Sequence, residues 1–436
     1  VFRSSMLSRL QPVLRRFAAS VQRFSANSQA GVAVFFAFSF VPLAIGVGAA
    51  VDYTYASKVK ARLDAAADLA ALNGVKTSNV MPTAAAAKAA AIASFQTNIG
   101  TLDRATLTSS AITVTDDGLG RTSTVTYSAQ VQTSLMALVG VNSIAISGSV
   151  KANSNLPTYI DFHILLDNTP SMGIGATPTD VSTMVANTSD KCGFACHDLS
   201  DPSGNYYKLA KKLGVTLRID VVRQATQSLM DTAAATERVN DQFRTQLYTF
   251  GSSCTVPGYT LINALTANLS QAKSAAANID LMTIPNQGYN NDQCTDFNGA
   301  LSAVNLSIAT PGDGSTAATP QKVMFFVSDG VADAYYPTTC TKPTTGGRCQ
   351  EPINTATCTA IKARGIRIAV LYTTYLPLTT NAWYNTWIKP FQSEIATRME
   401  ACASPGLYFE VSPTQGIADA MNALFQKAVA TARLTQ

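Results

Sequence analysis

Charge is scarce in this sequence. Charged residues make up 14% of its 436 positions, against about a quarter in an average chain, so most of the surface must be neutral. The net charge of +5 does not describe a nucleic-acid-binding face. Five arginines (Arg3, Arg9, Arg15, Arg16 and Arg23) fall within residues 1–30 with no acid among them, the remainder is close to neutral, and no broad basic patch is left to grip phosphates. Histidine is nearly absent: His163 and His197 are the two present. Neither stands in a recognisable hydrolase motif, and the chain has no Walker loop, GxSxG or HExxH, so an enzyme is not expected. No cysteine precedes Cys192, and all eight lie from there on. An even number confined to one half fits a disulfide framework in an oxidising compartment. Spacing alone leaves on the order of a hundred pairings open.

The longest absence of charge is itself a feature. Residues 31–51, GVAVFFAFSFVPLAIGVGAAV, carry none. As a helix this run is about 31 Å long, the thickness of a bilayer core, and its one proline, Pro42, is tolerated in such a helix. The arginines before it predict a cytoplasmic N-terminus, with everything after Asp52 outside. A cleaved signal peptide is the rival, since Gly48-Ala49-Ala50 offers small residues. Its n-region would be unusually long, however, and an uncleaved anchor is favoured. The helical pattern continues to about Gly74, with Val51, Tyr55, Val59, Leu63, Ala66 and Ala70 forming an apolar stripe at three- and four-residue spacing. An alanine-rich helix is predicted around 83–97. Three alternating segments, AITVTD, RTSTVTYSAQVQTS and SIAISGSVKAN, follow as strands between turns. A long N-terminal helix on a small sheet is a pilin-like α+β plan, assigned to residues 52–157.

From 158 onward the pattern changes. YIDFHILLD ends at Asp167, QKVMFFVSDG at Asp329, and IRIAVLYT and LYFEV follow. Near-continuous apolar strands predict a sheet covered on both faces. Helical segments are predicted at about 206–236, 268–279, 296–308, 350–364, 383–402 and 414–432. The alternation predicts an α/β fold with a doubly wound, mostly parallel sheet. Ligand crevices in such sheets lie beyond the carboxyl ends of the strands, so Asp167 and Asp329 can share one. Two carboxylates with nearby hydroxyls suit a hard divalent cation. Each Asp taken by itself equally suits a cap for the next turn or helix.

Two resemblances extend this reading. Arginines followed by GVAVFFA, Pro42, AVDY at 50–53 and KARLDAAADLAAL resemble the N-terminus of TadE/TadG-like proteins, membrane-anchored components of the bacterial tight-adherence (Flp) pilus system. DNTPSMG at 167–173, CTDFNGAL at 294–301 and VSDG at 327–330 resemble the three segments of a von Willebrand factor A domain with a metal-ion-dependent adhesion site. The second resemblance covers about 158–435. It implies that Asp167, Thr169, Ser171, Thr295 and Asp329 hold a metal, Mg²⁺ or alternatively Mn²⁺, with Thr169 where the family usually has Ser. An acidic side chain of a protein partner, either another pilus protein or a surface ligand, would complete the coordination.

Together these imply a single-pass inner-membrane protein with its C-terminal domains in the periplasm or the pilus. It would serve in Tad/Flp pilus assembly or adhesion. A purely structural pilin-like subunit with a vestigial metal site is the alternative, and a periplasmic redox or hydrolytic enzyme a weaker one. An insertion at 174–205 is expected at the rim, and TadG-like proteins often carry a cysteine-bearing insertion there. Within it, CGFACH at 192–197 is one residue off the covalent-haem spacing and lacks an obvious fourth zinc ligand. A structural disulfide is preferred, with Cys192 and Cys196 paired to each other or to Cys254 or Cys294. Cys340 with Cys349 would close a loop, and Cys358 with Cys402 would tie two helices.

Overall fold

The computed structural model describes residues 28–431 apart from 79–80, 118–119, 194–198, 201–204, 287, 337, 376, 380 and 413–415. The arginine-rich segment, Cys196 and His197 lie outside the described residues. The chain divides into two compact units, one running to 154 without 77–79, the other comprising 77–79 and 155–436.

In the first unit, helix α1 (Ser28–Gly74) runs unbroken through Pro42. Its N-terminal half presents Val32, Phe35, Phe36, Phe38, Phe40 and Leu43 to the exterior, and it is long and apolar enough to cross a membrane. The C-terminal half is different. Val59, Leu63, Ala66 and Ala70 are buried, whereas Val51, the first residue of the sequence stripe, is exposed. Helix α2 (Ala84–Ile99) and a sheet of β1 (Ala105–Asp117), β2 (Gly120–Gln132) and β3 (Ser143–Asn155), in that order, complete the unit. Phe95, Ile112, Val125, Tyr127 and Val131 cover the buried stretch of α1. Alternation along β2 puts every second side chain in this core.

The second unit is built on a mixed six-stranded sheet. Strands β4 (Ile160–Leu166), β5 (Phe243–Phe250), β6 (Tyr259–Thr266), β7 (Gln321–Ser328), β11 (Arg367–Thr373) and β12 (Tyr408–Val411) lie in the order β12-β11-β7-β4-β5-β6. Every neighbouring pair is parallel except β5 with β6. β4 and β7 are buried along almost their whole length, because helices cover both faces. Helices α5 (Arg218–Thr236), α6 (Leu269–Ala276) and α10 (Ile417–Thr431) pack on the face of Phe162, Ile164 and Leu166. Helices α7 (Phe297–Ser307), α8 (Thr355–Ala363) and α9 (Gln392–Cys402) pack on the face of Leu165, Met324 and Phe326. A hairpin-like sheet of β8 (Val331–Tyr335), β9 (Thr344–Thr345) and β10 (Arg348–Pro352) follows β7.

Several boundaries differ from the sequence reading. The helix expected over 206–236 is two, α4 (Tyr206–Leu213) and α5, because Gly214 takes a left-handed φ of 69° and closes the first. The helix expected from 350 starts only at Thr355, capped by Asn354, since residues up to Pro352 form β10. The segment from 383 begins as a π turn and a 3-10 turn before α9, with Pro390 interrupting regular hydrogen bonding. The insertion 174–205 contains helix α3 (Pro178–Asn187), whose Thr177 and Asp180 form a reciprocal capping box. β5, β6 and the β8–β10 sheet were not anticipated. Disulfides join Cys254–Cys294, Cys340–Cys349 and Cys358–Cys402. The last ties α8 to α9, and Cys192 is disulfide-bonded as well.

His163 sits inside β4, buried, with Nδ1 3.2 Å from the Tyr248 hydroxyl. Burial pushes its pKa down to about 4, against the opposing pull of Asp161. The unfolded chain therefore takes up a proton that the folded chain refuses. Stability is highest above the ordinary imidazole value and falls as pH drops from about 6.5 to about 4. His163→Leu is expected to remove up to about 3 kcal/mol of that acid-side loss, read as a flatter melting temperature between pH 7 and pH 4.5.

Candidate metal centre

The sheet order sets the location. From β4 the chain moves to β5 on one side, and β7 later enters on the other, so β4 and β7 flank the point where strand order reverses. Leu166 pairs with Val327 in register, and the Asp167 N–H continues the ladder to the Val327 carbonyl at 2.9 Å. The residue that follows each strand, Asp167 after Leu166 and Asp329 after Ser328, is therefore delivered to the same crevice.

Beyond Asp167 the chain folds back on its own carboxylate. The backbone N–H and hydroxyl of Thr169 both donate to Asp167 Oδ1, at 2.9 and 2.6 Å. Ser328, the last residue of β7, donates its hydroxyl to Asp167 Oδ2 at 2.6 Å. Pro170 then starts a short 3-10 turn that carries Ser171. Thr295 arrives from a separate segment and donates to Thr169 Oγ1 at 2.9 Å. Three restraints hold it there. It exchanges two backbone hydrogen bonds with Asp333, at 2.8 and 2.9 Å. Cys294 before it is bound to Cys254 in the loop between β5 and β6. Asp296 after it caps α7 through the Gly299 N–H at 2.8 Å.

Asp167, Thr169, Thr295, Ser328 and Asp329 are all buried, and Ser171 keeps partial exposure. Burial raises the pKa of both carboxylates, and the negative charge of Asp329 raises Asp167 further. Hydrogen bonds from Ser328 and Thr169 oppose the rise at Asp167, and Arg218 opposes it at Asp329.

Arg218 is the residue the sequence reading missed. It opens α5 and is itself buried, with Nη1 3.3 Å from Asp329 Oδ2 and Nη2 3.4 Å from the Thr374 carbonyl. Its guanidinium lies 5.7 Å from the Tyr375 ring centre, and Nε has no partner. The only signal was a basic residue in the apolar run VTLRIDVV, which ordinarily reads as a solvent-facing helix start. Ser328 was visible in VSDG but was passed over in favour of Asp329.

The five residues singled out from sequence thus gather in one crevice, with Ser328 and Arg218 beside them. Three of them are linked directly, Asp167 to Thr169 to Thr295. Ser171 Oγ is buried and close enough to Asp329 to help hold that carboxylate's pKa down, without forming a well-aligned hydrogen bond among the described residues. The donor set is all oxygen, two carboxylates and three hydroxyls, which fits a hard divalent cation. Arg218 already answers part of the charge from the Asp329 side.

Comparison with known proteins applies to the two ends separately. Residues 31–78 match the Flp pilus-assembly TadE/G-like family model. That match spans the exposed apolar half of α1, its buried continuation and the turn beyond. The TadE/G-like segment carries a helix fit to anchor the chain in a membrane. No curated protein matches the chain. Among solved structures, the pilus adhesin SpaC from Lactobacillus rhamnosus GG is similar at 12% identity and a TM-score of 0.36, covering 76% of this chain and 34% of that one. The PilB minor pilin from Streptococcus sanguinis is similar at 10% and 0.33, covering 74% and 77%. The vWF domain of the type V pili tip protein Mfa5 from Porphyromonas gingivalis is similar at 10% and 0.35, covering 63% and 96%. This chain thus spans about a third of the length of SpaC. Likenesses this distant carry no argument about its ligand.

Two buried carboxylates facing one guanidinium leave charge unanswered, so metal-free protein bears a strain that a neutral amide relieves. Asp167→Asn should raise stability in the presence of chelator by on the order of 1 kcal/mol, measured by thermal unfolding.

Proposed function

We propose that this chain is a membrane-anchored component of Tad/Flp pilus assembly or adhesion that grips a protein partner through a divalent cation. The second unit would be a doubly wound, von Willebrand factor A-like domain, with Asp167, Thr169, Ser171, Thr295 and Asp329 holding Mg²⁺ or Mn²⁺. One observation carries the reading: strand ends 162 residues apart in sequence (329 − 167) place two carboxylates together and a third segment adds Thr295. A cation there supplies a coordination position that a partner's acidic side chain completes. The chain's own residues orient that position. Thr169 ties the first loop to the Thr295 loop, Ser328 holds Asp167, and Ser171, the partly exposed member, presents its hydroxyl beside Asp329.

The TadE/G-like match and the exposed apolar half of α1 support anchoring in the inner membrane. The arginine-rich start supports a cytoplasmic N-terminus, and the disulfides support a periplasmic or pilus-borne C-terminal unit. Partners would then be other pilus proteins or a surface ligand. The proposal is of binding, not catalysis, and the burial of His163 within β4 supports it.

A second reading has an observation of its own. Arg218 donates to Asp329 from within the core, and a tethered guanidinium in that place favours a vestigial site in a purely structural subunit. Calorimetric titration of the detergent-solubilised full chain with Mg²⁺ and with Mn²⁺ separates the two. The adhesive reading expects one saturable site that Asp329→Asn abolishes. The structural reading expects no binding in the natural sequence, with binding appearing only once Arg218→Gln frees the carboxylate.

A further inference from the structure

The connection between β2 and β3 is not explained by the metal centre. Residues 133–143, TSLMALVGVNS, contain no charge. They form a 3-10 turn at Met136–Val139 closed by Gly140 at a φ of 90°. Leu135, Leu138, Val139 and Val141 are exposed, Leu138 to 83%. An apolar loop at that exposure in the middle of a soluble face would be a liability.

Its position gives it a partner. The loop is clamped to α1 where that helix leaves its charge-free run. Asp52 accepts from three successive backbone N–H groups, Ser134 at 3.0 Å, Leu135 at 2.9 Å and Met136 at 2.8 Å. Arg104 braces the arrangement, donating to Asp52 Oδ1 at 3.3 Å and to the Gln132 carbonyl at 2.9 Å, with its guanidinium 4.7 Å from the Tyr55 ring centre. Leu135 packs directly on Gly48, where a Cβ would lie 2.7 Å from Leu135 Cβ. Only glycine admits that approach. Gly48 is one turn inside the end of the charge-free run, about 4.5 Å short of Val51 along the axis. The loop therefore flanks the helix at the level where the helix enters lipid, and Val47, Val51 and Tyr53 are exposed at the same level.

We propose that residues 135–141 form a second membrane contact, an apolar wedge that enters the outer interface of the bilayer beside α1. The occupant of this surface is lipid. The wedge is continuous with the exposed apolar half of the anchor, it carries no charge to desolvate, and its exposed side chains are aliphatic. Asp52 makes it possible by satisfying three N–H groups that would otherwise go unpaired near hydrocarbon. With a wedge beside the helix, the first unit is held at two points on the membrane surface and its freedom to swivel about α1 is restricted. This inference rests on the anchoring reading above.

The test uses the full chain reconstituted in phosphatidylcholine vesicles, with Leu138→Trp as a reporter and the signal of Trp383 and Trp387 subtracted from the natural sequence. Lipids brominated high on the acyl chain are expected to quench the introduced indole several-fold more than the native tryptophans and to blue-shift its emission. Asp52→Ala in the same background should lower that quenching. Extraction with alkaline carbonate is run in parallel. Protein that stays with the vesicles while the indole is open to aqueous acrylamide overturns the wedge and leaves the anchor standing. Protein released by carbonate overturns both. An indole shielded from acrylamide yet untouched by brominated lipid is covered by protein, which also overturns the proposal.

Discussion

Two carboxylates buried side by side are the constraint around which the second unit is organised. Parallel strands β4 and β7 run in register, so the residue following each is forced into the same crevice. Solvent cannot dilute the repulsion there. The surroundings answer it by other means: hydroxyls of Thr169 and Ser328 donate to Asp167, and the Arg218 guanidinium donates to Asp329. Burial nonetheless holds both pKa values up. A site that remains electrostatically under-answered after all of its own side chains are in place is a site with capacity for a cation. The same logic explains why the guanidinium matters more than its single long contact suggests. It is the competitor that any metal must displace or tolerate.

The first unit meets a different constraint with a related device. One helix must be apolar all round where it meets lipid and apolar on one stripe where it meets the small sheet. Asp52 stands at the changeover, and its carboxylate is spent on backbone N–H groups of a distant loop instead of on solvent. In both units a buried aspartate following an apolar run organises a loop contributed from far along the chain.

Much of this was legible because the informative residues sit where periodicity changes. Asp167 and Asp329 were visible as the ends of apolar runs, and α1 as an absence of charge followed by a stripe. Thr295 could not be reached that way, since its place depends on a strand bridge to Asp333 and a disulfide one residue earlier. It came only through resemblance to a family. Arg218 was missed because burial of a guanidinium is decided by tertiary partners, Asp329 and Thr374, that leave no local mark. β5 escaped notice because Arg244, Gln246 and the threonines blur its alternation. β10 was absorbed into the following helix because Arg348, Gln350 and Glu351 look like a solvated helix start, whereas two of them are engaged by Asp333 and Trp383.

The bond between Cys254 and Cys294 has a consequence for where the protein can work. It fixes the residue next to Thr295, so one corner of the oxygen cluster is set by a covalent link that a reducing cytosol would not allow to form. Completion of the cluster thereby depends on oxidation: with both thiols reduced, the two aspartates face an opposite wall that lacks this restraint.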